Sequence, residues 1–561
     1  MDWIHTVFKS VPETALFLSL AIGYAVGKIN FGKFQIGGVG GSLIAAVLIS
    51  QFGVTIDSGV KSIMFALFIY AVGYESGPQF FSSLNRSTLR EIAMAVFLAV
   101  SGLVTILVCG KLFGFDKGLT AGIAAGGMTQ SAVIGTAGDA LSRMGLPADE
   151  VARLQSNVAI GYAVTYVFGS LGAIIMCVNI LPRLMGRELR DDAKKAELEM
   201  AGGKRPLEQG EVASLPALVG RVYDVTTGAG KTVAEVETTL DDGITIERVL
   251  RNGEEIAIAP NLTLQHADRV LLIGRREAAA KAWTLLGDES AMSSDMDQPL
   301  QVRDVVFTRK GASHKTLGEL KAQATRDMKH GVYIARITRM GKAVPLLDGT
   351  ILLHGDVVTL HGAPSDIKRA SVEVGYPVPP GDKTDFVYLG LGVLVGLLIG
   401  TLVAKVGGIP LTLGSGGGAL LSGLVFGWLR GKHPTFGQLP NAASQILKDM
   451  GLAAFVACVG LGSGAQAWAT LQKSGVSIFI AGVIVTMVPL ILTYLFGRYV
   501  LRYDNVAVLA GALSGARSAN PAFGGVLEKA ESSVPTIPFA ITYALANVLL
   551  TLLGPLVIAF A

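Results

Sequence analysis

A single arginine lies deep in an apolar, glycine-rich segment near the end of the chain. Arg517 follows Gly511–Ala516 and precedes Ser518 and Asn520. A guanidinium in apolar surroundings is costly unless it is paired, and its planar fork suits a bidentate contact with a carboxylate. Arg517 therefore predicts a binding site for an anion. The alternatives are a structural ion pair with an acidic residue such as Glu75, or a side chain that extends to the surface.

A second polar group interrupts another glycine-rich apolar stretch. Thr129, Gln130 and Ser131 lie within Gly122–Thr136. An irregular backbone at membrane depth survives only where it is buried in protein or lines a wet cavity, since lipid cannot satisfy its amides and carbonyls. We therefore predict that these side chains line a cavity, and that Arg517, Ser518 and Asn520 line it from the other side.

Two further apolar segments share a pattern of glycines. They are Ala71-Val-Gly-Tyr-Glu-Ser-Gly-Pro-Gln-Phe-Phe81 and Cys458-Val-Gly-Leu-Gly-Ser-Gly-Ala-Gln-Ala-Trp468. We predict that each is a broken membrane helix, because paired interruptions in two halves of a chain are typical of a transport site. Polar residues recur at equivalent positions and could bind a zwitterion or a carboxylate: Ser76 and Ser463, Gln79 and Gln466.

These polar residues also have simpler interpretations. The serines are small enough to serve only close helix packing, an explanation that fits the glutamines less well. Glu75 is the only charge between Lys61 and Arg86. It is either a partner for an ammonium group or a proton, or a residue near the membrane surface.

The composition is that of a polytopic membrane protein. The chain has 51% hydrophobic residues, a mean hydropathy of +0.52, only 16% charged residues and 70 glycines. We interpret Ala15–Gly27 as the first membrane segment and not as a removable signal. Charge-free runs long enough to span a bilayer are Ile92–Gly110, Leu154–Pro182, Phe386–Ala404, Val476–Phe496 and Ser532–Ala561.

The same composition argues against several other classes of protein. A net charge of +4 gives no argument for binding nucleic acid. The three cysteines lie in apolar runs and have no zinc-site spacing, so we expect neither a metal nor a cofactor. Gly228–Thr232 resembles half of a phosphate-binding loop but lacks its first glycine. The repeated His266 and His354 could ligate a metal, although a lone histidine before a strand is usually structural.

The apolar signal stops near Leu184 and resumes at Phe386, so a soluble part separates two membrane parts. Within it, Ile246–Gly274 aligns without gaps on Ile334–Gly362, and both copies alternate short β-type runs with turns. We predict two α+β domains that resemble the RCK C-terminal (TrkA C-terminal) domain of potassium-channel regulators. The predicted boundaries are 1–186 for the first membrane part, 187–204 for a linker, 205–290 and 298–376 for the domains, and 384–561 for the second membrane part.

The two membrane parts match each other in the same order. The matching pairs are Gly37–Leu43 with Gly414–Leu420, the two interrupted segments, Gly122–Thr136 with Gly511–Gly525, and Tyr162 with Tyr543. If residues 119–141 and 506–528 enter the membrane and return, the lysines and arginines of the second part lie mostly on the side of the soluble domains. We therefore predict two inverted repeats, each with about five spanning helices and one re-entrant hairpin, and cytoplasmic soluble domains.

Together these features resemble the aspartate:alanine exchanger family of bacterial secondary transporters. The resemblance rests on Gly73–Phe81, Gly126–Ser131, Gly511–Gly525 and the twin domains, and it covers essentially the whole chain. It implies a homodimer in the lipid of the bacterial cytoplasmic (inner) membrane. It also implies electrogenic import of L-aspartate against L-alanine, which an intracellular decarboxylase makes from it, so that the cycle generates proton-motive force.

Three alternatives remain open at this point. An exporter of succinate or another dicarboxylate in the same family would share every feature above. A potassium or other cation transporter would explain the regulatory domains, but Arg517 argues against it. A membrane-anchored enzyme is disfavoured because the soluble part shows neither a paired nucleophile and base nor a metal cluster.

Overall fold

The computed structural model describes the chain from Asp2 to Ala561 with several gaps. It leaves out residues 32–33, 36, 55, 202–217, 241–243, 276–278, 280, 292, 294, 310, 379–382, 407–408, 413 and 434–435. The description also leaves out the side chains of residues 2, 4–5, 30–31, 34–35, 87, 218, 275, 326–327, 403–406, 409–412, 463–469 and 471. The end of the predicted linker and the start of the first predicted α+β domain therefore lie outside the described residues.

The first part of the chain is helical, with one short antiparallel β hairpin. Its helices begin at polar caps where the sequence provides them: the Asp57 carboxylate accepts from the Gly59 amide at 2.7 Å, and the Asp116 carboxylate accepts from the Leu119 amide at 2.8 Å. The elements are α1 Asp2–Ser10, α2 Glu13–Gly27, β1 Asn30–Phe31, β2 Phe34–Gln35, α3 Gly38–Ile49, α4 Ser58–Ser83, α5 Leu89–Phe113, α6 Lys117–Gly127, α7 Ala132–Ser142, α8 Ala148–Ile174, α9 Leu181–Met185 and α10 Leu189–Met200.

Two five-stranded antiparallel sheets follow, and they have the same strand order. The elements are β3 Leu218–Asp224, α11 Val233–Thr239, β4 Ile244–Arg251, β5 Glu254–Glu255, β6 Arg269–Arg275, α12 Trp283–Leu286, β7 Glu289–Ser290, β8 Gln301–Phe307, α13 Leu317–Gln323, α14 Arg326–Lys329, β9 Val332–Arg339, β10 Lys342–Val344, β11 Val357–Gly362, α15 Pro364–Val374 and β12 Gly375–Pro377. The orders are β5-β4-β6-β3-β7 and β10-β9-β11-β8-β12.

Matching side chains support both sheets. In each sheet an arginine at the end of one strand pairs with the aspartate just before the neighbouring strand. These pairs are Arg251 of β4 with Asp268 before β6, and Arg339 of β9 with Asp356 before β11. The Arg339–Asp356 pair is almost fully buried, with 1% and 0% of the two side chains exposed. Thr232 and Thr316 each begin a helix with a reciprocal capping box.

The last part of the chain is helical again and also contains a β hairpin. Its elements are α16 Phe386–Gly400, β13 Val403–Val406, β14 Ile409–Thr412, α17 Gly414–Lys432, α18 Asn441–Leu495, α19 Val506–Ala516, α20 Asn520–Ala530, α21 Thr536–Thr551 and α22 Leu553–Phe560. After α1, the first part has the same order of elements as the start of the last part: a helix, a two-stranded hairpin and a second helix.

The chain divides into two compact units. The helical unit contains residues 1–196, 340–342 and 380–561, and the α+β unit contains residues 197–339 and 343–379. Five stretches of the described residues are long and apolar enough to cross a membrane: Leu89–Phe113, Ala148–Met185, Asn441–Gly462, Gln472–Val500 and Thr536–Phe560. The protein is thus a mostly helical, multi-pass membrane protein with two small antiparallel sheets.

The predicted break in the first glycine-interrupted segment is wrong. Helix α4 runs without interruption through Ala71–Phe81 and keeps Pro78 inside it. Its glycines permit close packing instead, since a Cβ atom at Gly73 or Gly77 would lie 2.4 or 2.3 Å from a backbone oxygen of α17. The predicted break in the second segment is wrong as well, because Cys458–Trp468 lies within the continuous helix α18.

Two pairs of short helices form helix–turn–helix hairpins at the predicted irregular segments. We call α6 and α7 the first hairpin, and α19 and α20 the second. Each of the four helices has 11 residues, so each is about 16 Å long and cannot cross a hydrocarbon core of about 30 Å alone. The turn of the first hairpin, residues 128–131, and that of the second, residues 517–519, place backbone atoms deep inside the helical unit.

Candidate substrate-binding site

The tips of the two hairpins meet. The Thr129 hydroxyl lies 3.4 Å from the backbone oxygen of Arg517, and the Arg517 Nη2 donates to the backbone oxygen of Gly127. The structure therefore brings together the two polar groups that the sequence places far apart in the chain. The amino-terminal ends of α7 and α20 also lie at the tips, where the helix dipoles favour negative charge.

Arg517 is the most unusual side chain of this site. It is 0% exposed, and its Nε and Nη1 atoms have no hydrogen-bond partner among the described residues. The structure also describes no ion pair for it. A buried guanidinium with free donors is unfavourable unless a ligand supplies acceptors, so the side chain is poised to receive an anion.

Both structural alternatives for Arg517 are wrong. Glu75 pairs with Lys448, whose Nζ donates to its carboxylate, and does not reach the arginine. The arginine does not extend to the surface either, because it is fully buried.

Asn547 of α21 connects the two hairpins to α4. Its Oδ1 accepts from the Ser518 hydroxyl at 3.0 Å, and its Nδ2 donates to the Ser76 hydroxyl at 3.3 Å. Its backbone oxygen lies 3.4 Å from the side-chain amide nitrogen, Nε2, of Gln130. Asn547 is not among the predicted site residues, although a lone amide side chain within the apolar run Thr536–Thr551 is a signal of a functional site.

Two tyrosines hold equivalent positions of the two hairpins. The Ser131 hydroxyl lies 2.8 Å from the Tyr162 hydroxyl, and the Asn520 Nδ2 donates to the Tyr543 hydroxyl at 3.0 Å. Tyr162 and Tyr543 are the tyrosines that match in the sequence, but they were not predicted as site residues. Each tyrosine fixes a polar side chain that directly follows a tip, which preorganises the site.

The other predicted residues are distributed unevenly. Gln130 is buried and also donates to the Thr551 hydroxyl at 3.3 Å. Ser76 reaches the site through Asn547, whereas Gln79 is buried on the same helix, α4. Glu75 lies beside Ser76 but is engaged with Lys448. The side chains of Ser463 and Gln466 lie outside the described residues.

The surroundings of Arg517 are otherwise neutral. Hydroxyl and amide groups provide both donors and acceptors, and among the described residues none of the hydrogen-bond partners named at the tips is a carboxylate. Nothing here resembles a nucleophile activated by a base. The arrangement can therefore bind and orient a small anion with additional polar groups.

The α+β unit carries an ionic cluster of its own. His330 lies 3.6 Å from Asp366 and 3.1 Å from Glu237, and these two carboxylates raise the pKa of the imidazole to about 10. His330 is therefore protonated at neutral pH and links α11 to α15 electrostatically. In the part of the chain that the structure describes, no three His, Cys, Asp or Glu side chains converge as a metal site.

Comparison with known proteins agrees with this picture. A family model for aspartate–alanine exchangers, described as a predicted permease membrane region, matches residues 15–182 and 388–559. An uncharacterized transporter of Zymomonas mobilis is 51% identical over 100% of both chains. Another, from Bradyrhizobium diazoefficiens, is 39% identical over 100% of this chain and 99% of its own, and one from Francisella tularensis is 38% identical over 99% and 98%. No solved structure matches the chain. The resemblance expected from the sequence is confirmed, and the chain belongs to the aspartate–alanine exchanger family of membrane permeases.

Proposed function

We propose that this transporter exchanges extracellular L-aspartate for intracellular L-alanine. The observation that carries the proposal is the buried Arg517, whose Nε and Nη1 are left without a protein partner where the two hairpin tips meet. A carboxylate is the ligand that best satisfies two adjacent guanidinium donors, because it accepts both in parallel. The family supports an amino-acid pair as substrate.

Each polar group at the tips has a role in this proposal. Arg517 binds the side-chain carboxylate of aspartate. The α-carboxylate and the ammonium are held by Thr129, Gln130 and Ser131 from the first hairpin and by Ser518 and Asn520 from the second. Further polar contacts on the flanking helices come from Glu75, Ser76, Gln79, Ser463 and Gln466.

The exchange is electrogenic. Aspartate enters as a monoanion and alanine leaves as a neutral zwitterion, so each cycle moves one negative charge inward. Decarboxylation of aspartate to alanine in the cell consumes a proton. The two steps together contribute to proton-motive force.

The architecture in this proposal consists of two inverted repeats in the bacterial inner membrane. Support comes from the shared order of helix, β hairpin and helix in the two parts, and from the two hairpins that meet tip to tip. The two sheets with the same strand order support a pair of RCK C-terminal domains, which we place on the cytoplasmic side as regulators or as braces of a homodimer.

One observation favours a second candidate, an exporter of succinate or another dicarboxylate. None of the described hydrogen-bond partners at the tips is a carboxylate that would pair with the ammonium group of aspartate. A dicarboxylate has no such requirement. Glu75 is the one acidic residue that the sequence predicts at the site, and Lys448 already pairs with it.

Transport into proteoliposomes distinguishes the two. The purified protein is reconstituted into vesicles preloaded with L-alanine, L-aspartate, succinate, a potassium salt or buffer alone. Uptake of labelled L-aspartate and, in parallel, of labelled succinate is measured. Uptake only against alanine or aspartate is the expected result. No aspartate uptake, with succinate moving instead, would keep the architecture and overturn the substrate. Protein with Arg517→Met serves as the matched control for uptake through this site.

A further inference from the structure

A polar cavity of about 140 Å³ lies in the helical unit, away from the hairpin tips. Lys61 of α4 and Asp139 of α7 both line it. Serines at its rim are exposed, whereas its apolar floor is buried. A cavity of roughly 150 Å³ is large enough for a benzene-sized molecule, so this one suits a small organic ligand.

The two charged groups of the cavity do not pair with each other. The Lys61 Nζ donates to Gln155 Oε1 at 3.2 Å, and Asp139 Oδ2 accepts from the Ser415 hydroxyl at 2.7 Å. The structure describes no ion pair between Lys61 and Asp139. Lys61 and Asp139 are both partly exposed and both line the cavity, so a ligand that enters it can contact the two opposite charges.

The cavity lies on the same face of α7 as the candidate substrate site. Ser131, Gly135 and Asp139 follow one another at intervals of one helical turn. Gly135 and Asp139 both line the cavity, which therefore extends from about 6 Å to about 12 Å along α7 from Ser131. The ring of Phe65 occupies the intermediate level, where a Cβ atom at Gly135 would lie 2.1 Å from it. Phe65 also packs on Phe455 with 4.6 Å between ring centroids.

We propose that this cavity is a second binding site, for the zwitterion of a small α-amino acid that waits before passing Phe65. Lys61 binds the α-carboxylate and Asp139 binds the α-ammonium. A simple anion would give Asp139 no oppositely charged partner, and a simple cation would give Lys61 none, whereas a zwitterion pairs with both. The proposal rests on the proposed function only in the class of ligand, an amino acid.

A cysteine reporter in the rim tests the site without relying on transport. Ser62 lines the cavity and is exposed, and the three native cysteines are buried, so Ser62→Cys provides the accessible thiol. The full-length protein in proteoliposomes is treated with a membrane-impermeant thiol reagent in the presence of L-alanine, acetate or methylammonium. Thr401→Cys, at an exposed position outside the cavity, is the matched control.

L-Alanine should slow labelling of the Ser62→Cys thiol, while acetate and methylammonium should not, and the Thr401→Cys control should be unaffected. Lys61→Gln or Asp139→Asn should raise the half-protecting concentration of alanine about tenfold or more, because each removes a charge-assisted hydrogen bond. Arg517→Met should leave protection unchanged. Equal protection by acetate, no protection by alanine, or no labelling of the unprotected thiol from either side would each overturn the proposal.

The same vesicles separate this inference from the proposed function. Protection by alanine without aspartate–alanine exchange would support the waiting site and refute the exchange. Exchange without protection would refute the waiting site and leave the exchange standing.

Discussion

The tips of the two hairpins share one backbone geometry and differ in one charge, that of Arg517. The residues at equivalent positions of the turns, Thr129 and Ser518, both have positive φ, at 52° and 56°. Both hairpins begin at a side-chain cap, Asp116 on α6 and Asn505 on α19. Before the turn residue, however, the first hairpin has Met128, which is fully buried among apolar neighbours, and the second has Arg517.

This difference separates geometry from chemistry. Features found in both hairpins, including the left-handed turn residue and the tyrosine-bound polar residue two positions later, set the shape of the tips. The feature found in only one, the guanidinium, supplies the charge that selects an anion in the proposed function. Variants that make one tip resemble the other therefore test which features hold the fold and which bind substrate.

Arg517→Met makes the second tip resemble the first and should have the largest effect. Loss of a bidentate charged contact should weaken aspartate affinity about 100-fold, since each such hydrogen bond contributes about 1.5–3 kcal/mol. The concentration of aspartate for half-maximal uptake measures it. Alanine affinity and the thermal unfolding midpoint should change much less, because methionine fills a similar volume. Equal losses for aspartate and alanine would reject the assignment of Arg517 to the side-chain carboxylate.

Asn547→Leu should have the next largest effect, because Asn547 is hydrogen-bonded to both tips and to α4. The variant leaves the hydroxyls of Ser518 and Ser76 without this partner, at a cost of about 1–3 kcal/mol for each buried group left unsatisfied. We expect a lower unfolding midpoint and impaired exchange of both substrates. Thr551→Val is the matched control. The Thr551 hydroxyl accepts from Gln130 of the first hairpin and donates to the backbone oxygen of Asn547 within α21, and no described hydrogen bond joins it to the second hairpin. If Asn547→Leu were no worse than this control, the Asn547 side chain would not couple the second hairpin to α4.

Tyr162→Phe and Tyr543→Phe compare the hairpins directly. Each removes one hydrogen bond, so each should lower stability by about 1 kcal/mol. Because Asn520 is on the hairpin that carries Arg517, Tyr543→Phe should raise the half-saturating aspartate concentration more than Tyr162→Phe does. Uptake kinetics and thermal unfolding of both variants measure this. A larger transport defect in Tyr162→Phe would place the main binding contacts on the first hairpin.

Thr129→Gly should have the smallest effect on stability. A β-branched residue with positive φ is strained, and glycine relieves that strain, but it also increases the freedom of the unfolded chain by about 1 kcal/mol. The unfolding midpoint should therefore stay nearly constant. Ser518→Gly should be slightly destabilising, because it also removes the hydrogen bond to Asn547. A large loss of stability in Thr129→Gly would mean that the Thr129 hydroxyl holds the two tips together.

The sequence was a good guide where a residue is unusual for its surroundings. Arg517 and the polar run Thr129–Ser131 stand out in apolar segments, and the structure brings them together. The sequence was a poor guide to the glycines of α4, because a glycine that breaks a helix and one that admits a neighbouring helix look the same in one dimension.

Contacts between distant residues were also beyond prediction. Lys448 reaches Glu75, and Asn547 reaches three other elements, only because the helices pack as they do. Local periodicity contains no information on which helix faces which. The cavity lined by Lys61 and Asp139 could not be predicted from the sequence for the same reason, because residues of α4, α7, α8, α17 and α18 form it.

In the exchange proposed above, with Arg517 moving through the membrane field together with its ligand, the fixed charge of the guanidinium determines the step of the cycle on which membrane voltage acts. With aspartate bound, the guanidinium and the monoanion cancel, and the loaded site can change sides without moving net charge. With zwitterionic alanine bound, the site keeps its positive charge, and moving one charge across the membrane corresponds to about 2.3 kcal/mol per 100 mV. A potential that is negative inside therefore opposes the outward, alanine-loaded step and leaves the aspartate-loaded step almost insensitive to voltage.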